Sequence, residues 1–213
     1  MKKVLFIYGG WEGHQPKEVA ELFAGEMQKQ GFETQIETSL NILEDAEKLK
    51  EFSLIFPCWT MGEISKEQIQ GLDAAVRSGV GLGGVHGGMG DSFHGCLAYE
   101  WMVGGHFVGH PYVGEYRVDV TDRKHPIMDG MPESFSYNSE QYYMMVDPRI
   151  EVLAQTDYIY ENRTVKMPVV WTKSWGNGRV FYNSLGHAVH EFADYPAVCE
   201  MTVRGLLWAA GEL

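Results

Sequence analysis

An apolar segment, Val80-Gly81-Leu82, runs into Gly83-Gly84-Val85-His86-Gly87-Gly88. A small–X–polar–X–Gly turn between a strand and a helix is the layout of a nucleophile elbow, which presents one side chain to solvent at the carboxyl edge of a sheet. Glycines on both sides permit so tight a turn. Here the presented side chain is the imidazole of His86, where a hydrolase of that design carries Ser or Cys. The position suits proton transfer or ligand contact, and the usual covalent chemistry is missing. The plainer reading is a turn histidine bonded only to backbone.

Other imidazoles stand at comparable places. His14 closes Gly9-Gly10-Trp11-Glu12-Gly13-His14, just past an apolar first strand. His187, in Leu185-Gly186-His187-Ala188-Val189-His190, follows the strand Arg179 to Ser184, and His190 reads as a surface histidine. His106 and His110 are four residues apart, a spacing that on a helix would put both on one face and suit a metal. Gly104, Gly105, Gly109 and Pro111 break helices, so this segment reads as a loop able to bring His110 to a site. Glu140 stands in Ser139-Glu140-Gln141-Tyr142 as a candidate base or ligand, although spacing alone favours an exposed loop glutamate. Trp11, Trp59, Trp171 and Trp175 read singly as core, yet an apolar ring face also stacks on a sugar. Together His14, His86, His106, His110, His187 and Glu140 suit zinc or another divalent transition metal. The same groups suit metal-free acid/base work near neutral pH. There is no phosphate loop ending in Lys-Ser/Thr and no GxGxxG after the first strand, so nucleotide binding has no support.

The elements that must position these groups alternate over the first hundred residues. Val4 to Tyr8 is a continuous apolar run, as in a buried parallel strand. Pro16 opens a helix through Val19, Ala20, Leu22, Phe23 and Met27 that ends near Gly31. Phe32 to Glu37 and Leu54 to Phe56 read as strands, the latter ended by Pro57. Ser65 starts a helix with Ile69, Leu72, Ala75 and Val76 on one face, and Val80 to Val85 is the fourth strand. This order predicts an α/β fold, a mostly parallel sheet with helices on both faces and ligands beyond the strands' carboxyl ends. Later, Tyr112 to Thr121 alternates, Ile150 to Gln155 is a short strand, and Pro168 to Thr172 pairs with Arg179 to Ser184 across Gly176-Asn177-Gly178. His125-Pro126-Ile127-Met128-Asp129-Gly130 reads as a structural connection, and Pro196 opens a last helix. With no repeat or linker, residues 1–213 form one domain.

Composition narrows the partners. The chain has 213 residues and a net charge of −12, a field that repels nucleic acid and anionic membrane surfaces but not a neutral sugar. No segment approaches the ~18 apolar residues of a membrane span. The apolar run after Lys2-Lys3 stops at Gly9-Gly10, too short for export. Cys58, Cys96 and Cys199 are odd in number and widely spaced, which points to a reducing cytoplasm. A homo-oligomer is expected only because soluble proteins so often self-associate.

These motifs, together with Gly104-Gly105-His106-Phe107, Gly109-His110-Pro111, His125-Pro126-Ile127 and Gly178-Arg179-Val180-Phe181-Tyr182, resemble the ThuA-like (trehalose utilisation) family over nearly the whole chain. The resemblance implies a flavodoxin-like three-layer α/β/α sandwich of the class I glutamine amidotransferase-like kind. His86 would stand where amidotransferases keep their catalytic Cys, and His187 near their triad histidine. Glutaminase chemistry is not expected, because no cysteine occupies the elbow. The implied role is carbohydrate catabolism, with an enzyme acting on a sugar or keto-sugar by hydrolysis, elimination or isomerisation. In that reading His86 and His187 move protons and Glu140 assists. His14, His110 and His187 are the candidate metal ligands, zinc first. Trp11, His14, Trp59, His106 and Tyr142 are the candidate sugar contacts. The alternative is a non-catalytic sugar-binding or accessory subunit that lost the nucleophile, and a third reading is a cysteine hydrolase using Cys58.

Overall fold

Val4-Leu5-Phe6-Ile7 forms the middle of strand β1 (Lys3–Gly10), and its side chains alternate between two cores. Val4 and Phe6 join one, Leu5 and Ile7 the other. A strand buried on both faces is what a continuous apolar run encodes. The computed structural model describes residues 2–213. After β1 come a 3-10 turn (Glu12–His14), α1 (Pro16–Lys29), β2 (Glu33–Glu37), a 3-10 segment (Leu40–Glu44), α2 (Ala46–Leu49) and β3 (Leu54–Thr60). Helix α3 (Lys66–Ser78), β4 (Gly81–Val85), α4 (His86–Gly90) and α5 (Leu97–Val103) complete the first half. The second half holds β5 (Gly105–Val120), a 3-10 turn (Pro126–Met128), β6 (Ser134–Val146), β7 (Glu151–Tyr160), β8 (Arg163–Trp175), β9 (Gly178–Asn183), α6 (Glu191–Asp194) and α7 (Pro196–Ala209).

Local chemistry sets several boundaries. Pro16 is the first residue of α1, a place that lacks an intrahelical N–H bond in any case. Ser65 and Gln68 close a reciprocal capping box at α3, with bonds of 3.1 and 3.0 Å. At the β8–β9 hairpin Gly176 adopts φ 61°, which a glycine takes without penalty.

One nine-stranded sheet runs in the order β2-β1-β3-β4-β9-β8-β7-β5-β6. Helices α1 and α7 cover one face of its first half, and α3 with α5 the other. The expectation of a mostly parallel sheet is corrected here. Strands β2, β1, β3, β4 and β9 pair in parallel, but β9-β8, β8-β7, β7-β5 and β5-β6 are antiparallel, and β5-β6 and β8-β7 carry the two longest ladders. Strand-helix alternation in the first hundred residues described only half the sheet. The hairpin-connected strands of the second half need no crossover helix, so they run antiparallel.

Two local expectations also change. Pro57 does not end β3 but pairs with Ile7 inside it. The β3–β4 ladder stops at Ile55–Leu82, so the proline's missing N–H falls where that neighbour has parted. The segment 105–111 is not a loop but the first half of β5, with register irregularities between Phe107 and Gly109 and between Gly109 and Tyr112. Gly109 and Pro111 break the register and leave the strand itself intact.

Candidate functional site

Four chain segments deliver side chains to one point beyond the carboxyl ends of the parallel strands. The 3-10 turn after β1 supplies His14, the β4–α4 junction His86, the segment after β9 His187, and the middle of β6 supplies Glu140. Among the described residues, one ligand-capable atom from each of these four lies within 4.8 Å of the others. Glu140 Oε2 is 3.2 Å from His86 Nε2 and 3.3 Å from His187 Nδ1, and its Oε1 is 3.5 Å from His110 Nε2. The three inner rings stand edge-on to one another, with centroids 4.7 Å (His14–His86), 5.1 Å (His14–His187) and 5.3 Å (His86–His187) apart.

His86 occupies the elbow with φ 45°, a left-handed conformation that strains a non-glycine residue and is tolerated where the surroundings enforce it. Those surroundings are visible. His86 Nδ1 lies 2.8 Å from the carbonyl of Ser184, which can only accept, so Nδ1 carries the proton. Tyr182 Oη donates to the His86 carbonyl at 3.0 Å, and the Tyr142 ring stacks on the imidazole at 4.0 Å. The elbow therefore points inward. His86 is 2 % exposed, which corrects the expectation of a side chain lifted into solvent.

The other members are tied down comparably. His14 Nδ1 meets Thr60 Oγ1 at 2.8 Å. Glu191, buried on α6, accepts from Tyr137 Oη at 2.6 Å, Ser139 Oγ at 2.8 Å and the His187 backbone N–H at 3.2 Å. One carboxylate thus links the His187 turn to the strand that carries Glu140. Gln15 Oε1 accepts from the Val189 N–H at 3.0 Å and joins the β1 and β9 loops.

The electrostatics follow from this packing. Burial, then the neighbouring His86 and His187, push the His14 imidazole down to about 3, so it is neutral at physiological pH. Burial acts to raise Glu140, but His187 and His86 outweigh it and hold the carboxyl well below the usual carboxylate range. The Glu140 carboxylate in turn raises His187 against its own burial. That contact attracts at 3.3 Å, yet its angle is poor, and the buried His187 Nδ1 has no aligned hydrogen-bond partner. The buried hydroxyl of Tyr142 likewise has none.

The remaining candidates divide. Tyr142 packs directly on His86, Trp11 meets His14 edge-on at 4.7 Å, and His110 stands exposed at the rim beside Glu140. Trp59 lies against Gly9 and Gly62 rather than in the cluster. His106 faces Glu100 at 3.2 Å and lines a separate groove with Leu97, Trp101 and Met145. Trp171 is core, and His190 is exposed, as the simpler readings have it. Cys58 is buried, which pushes its thiol up to about 12 and removes the thiolate that a cysteine hydrolase needs. Ser184 and Glu191 were not legible as site residues, because an ordinary carbonyl or helix glutamate acquires its role only from the fold, whereas Thr60 stands at a strand end already expected to reach the rim.

Gly87 shows how tightly the pocket is closed. A Cβ there would lie 2.3 Å from His14 Cε1 and 2.4 Å from its Nδ1. Gly87→Ala is therefore expected to push His14 off Thr60, at an overpacking cost of about 1–3 kcal/mol. The check is the His14 ring resonance in the NMR spectrum together with the melting midpoint. An unmoved resonance would contradict the packing.

The comparisons agree with this architecture. A family model described as trehalose utilisation (ThuA) matches residues 3–209. A ThuA-like protein of Bacteroides uniformis superposes with a TM-score of 0.78 at 24% identity, over 98% of this chain and 91% of that one. A ThuA-like protein of Parabacteroides merdae gives 0.77 at 20% identity, over 98% and 90%. A cytoplasmic protein of Salmonella typhimurium gives 0.65 at 10% identity, over 98% and 99%. At these identities the structures report a shared fold. No curated protein sequence matches.

Proposed function

This chain belongs to the ThuA, or trehalose utilisation, family, and we propose that it is an enzyme of carbohydrate catabolism acting on a sugar or keto-sugar. The family indicates a carbohydrate-related role. The observation that carries the catalytic step is Glu140, an ionised side chain set among His86, His187 and His110 where the parallel strands end. A carboxylate held between imidazoles, with a neutral His14 beside them, supplies both a donor and an acceptor of protons. Hydrolysis, elimination and isomerisation of a sugar all need that pair. His110 at the rim and Trp11 beside His14 would meet the substrate, the indole face suiting the apolar face of a sugar ring. In the amidotransferase-like reading the elbow residue is His86 rather than a cysteine, so no acyl-enzyme would form on it. A cytoplasmic setting belongs to the same reading, supported by three unpaired cysteines. No helix among the described residues is long and apolar enough to cross a membrane.

The test is a panel of mono- and disaccharides and their keto forms, incubated with the protein and followed by NMR for product and for ligand line broadening. Product from a sugar or keto-sugar supports the enzyme. Binding with no product across the panel replaces it with a sugar-binding accessory subunit.

A further inference from the structure

We propose that His14, His86, His187 and Glu140 form a binding site for one divalent first-row transition metal ion, with zinc the first candidate. The inference concerns the same pocket as the enzymatic reading and rests on it for place: with an ion bound, these side chains would serve as its ligands and the ion would supply the acid/base chemistry assigned to them above, while metal uptake is measured without turnover.

The tautomer of His86 is fixed by its surroundings. Its Nδ1–H is committed to the Ser184 carbonyl, so in the neutral ring Nε2 presents a lone pair. That lone pair faces Glu140 Oε2 at 3.2 Å. Two lone pairs at that distance repel unless a cation lies between or beside them, either a proton on Nε2 or a metal ion. His14 repeats the pattern. One ring nitrogen is engaged by Thr60 Oγ1, and the other is left for a ligand. A ring nitrogen held by a carbonyl or hydroxyl while its partner nitrogen faces the ion is the arrangement that orients metal-binding histidines.

Two further observations point to a missing partner. His187 Nδ1 is buried without an aligned hydrogen bond although Glu140 Oε2 is 3.3 Å away. Tyr142 Oη, on a residue 4 % exposed, is also unpartnered, and it lies 3.1 Å from where a Cβ on Gly87 would be, beside His14. Buried polar atoms are rarely left unsatisfied without a reason. A single proton could relieve the His86–Glu140 contact, but it would leave His14 and His187 unused. One divalent ion satisfies all four at once.

The donor set and its size agree. Three imidazoles and a carboxylate suit zinc, iron, nickel or manganese better than calcium or magnesium, which take mainly oxygen. Bonds of about 2.0–2.1 Å to zinc would place tetrahedral ligands roughly 3.3 Å apart, and the four atoms here already lie within 4.8 Å of one another. His110, exposed and 3.5 Å from Glu140 Oε1, stays outside the set. This replaces the combination His14, His110 and His187 expected from sequence with one that includes the elbow residue and the β6 carboxylate.

The experiment is metal analysis and Co²⁺ titration of protein made without a histidine tag, before and after chelation. Visible Co²⁺ bands report the ligand field. About one equivalent per chain is expected for the wild type. Thr60→Val, which removes only the hydroxyl that orients His14, is expected to weaken Co²⁺ binding about 10–100-fold. Glu140→Ala is expected to abolish the bands with the circular dichroism spectrum retained, and His190→Ala, at an exposed site, to change nothing. Folded wild type that takes up no metal, or uptake that survives Glu140→Ala and His14→Ala together, would overturn the proposal. Turnover of a panel sugar by protein that takes up no Co²⁺ would sink the metal site and leave the enzyme standing. One Co²⁺ per chain without turnover on the panel would do the reverse.

Discussion

His86→Ala is expected to lower turnover on any sugar the protein converts by about 10²–10⁴-fold, the range over which positioned acid/base groups contribute. The imidazole is held from three sides, by the Ser184 carbonyl, the stacked Tyr142 ring and the Glu140 carboxylate. Its removal therefore deletes a reacting group and also loosens Glu140. The variant leaves the Ser184 carbonyl unpaired, at about 1–3 kcal/mol, so loss of activity alone would be open to a folding explanation. His86→Asn separates the two. Asparagine tolerates the positive φ of 45° found here, and its amide is able to donate to Ser184. Both variants should keep the wild-type circular dichroism spectrum, and Asn should keep the melting midpoint more nearly. Wild-type turnover in either one would remove His86 from the chemistry.

How much of this site could be read from the chain depends on how each residue is placed. His14, His86 and His187 sit within a few residues of apolar strand ends, and ligands gather at the carboxyl ends of parallel strands, so local pattern is enough to nominate them. Glu140 is different. It lies in the middle of β6, an antiparallel edge strand, and reaches the elbow only because the second half of the sheet brings that strand over it. Nothing within ten residues of Glu140 states this, and an exposed loop glutamate was the better local reading. The same limit explains the sheet. The alternation of strand and helix before residue 100 described its parallel half correctly, but strand direction in the second half follows from which hairpins pair. Gly109 and Pro111 argued against regular structure, and the β5–β6 ladder absorbed them as irregularities because β7 pairs with β5 only near Val118 to Val120. His86 was legible as an elbow residue, whereas its burial depends on Tyr142 and Ser184, which come from distant parts of the chain.

Lys173→Met is expected to cost about 3 kcal/mol, the lower end for breaking one partner of a buried ion pair. At roughly 2–4 °C per kcal/mol for a chain of this size, the melting midpoint should fall by roughly 6–12 °C. Lys173 is 4 % exposed on β8. Its Nζ donates to Asp147 Oδ2 at 2.8 Å and to the Trp101 carbonyl. That carbonyl is one of those left without an intrahelical partner at the end of α5, and Trp171 Nε1 caps another, Val103 O, at 2.9 Å. Methionine fills the space but neither neutralises Asp147 nor caps the helix. Arg149 still pairs with Asp147 at 2.6 Å, which is why the loss should stay near the lower bound. Arg149→Ala, at the solvent-exposed end, should move the midpoint much less. The pH dependence has a definite sign. Arg149 first and Lys173 next hold the Asp147 carboxyl below its usual range against its partial burial. A depressed carboxylate contributes fully above its unfolded value of about 3.9 and loses that contribution as pH falls through the folded value. The gap between wild type and Lys173→Met should therefore be widest near neutral pH and narrow below about pH 4. A gap that is constant with pH would assign the cost of the substitution to the lost helix cap rather than to the ion pair.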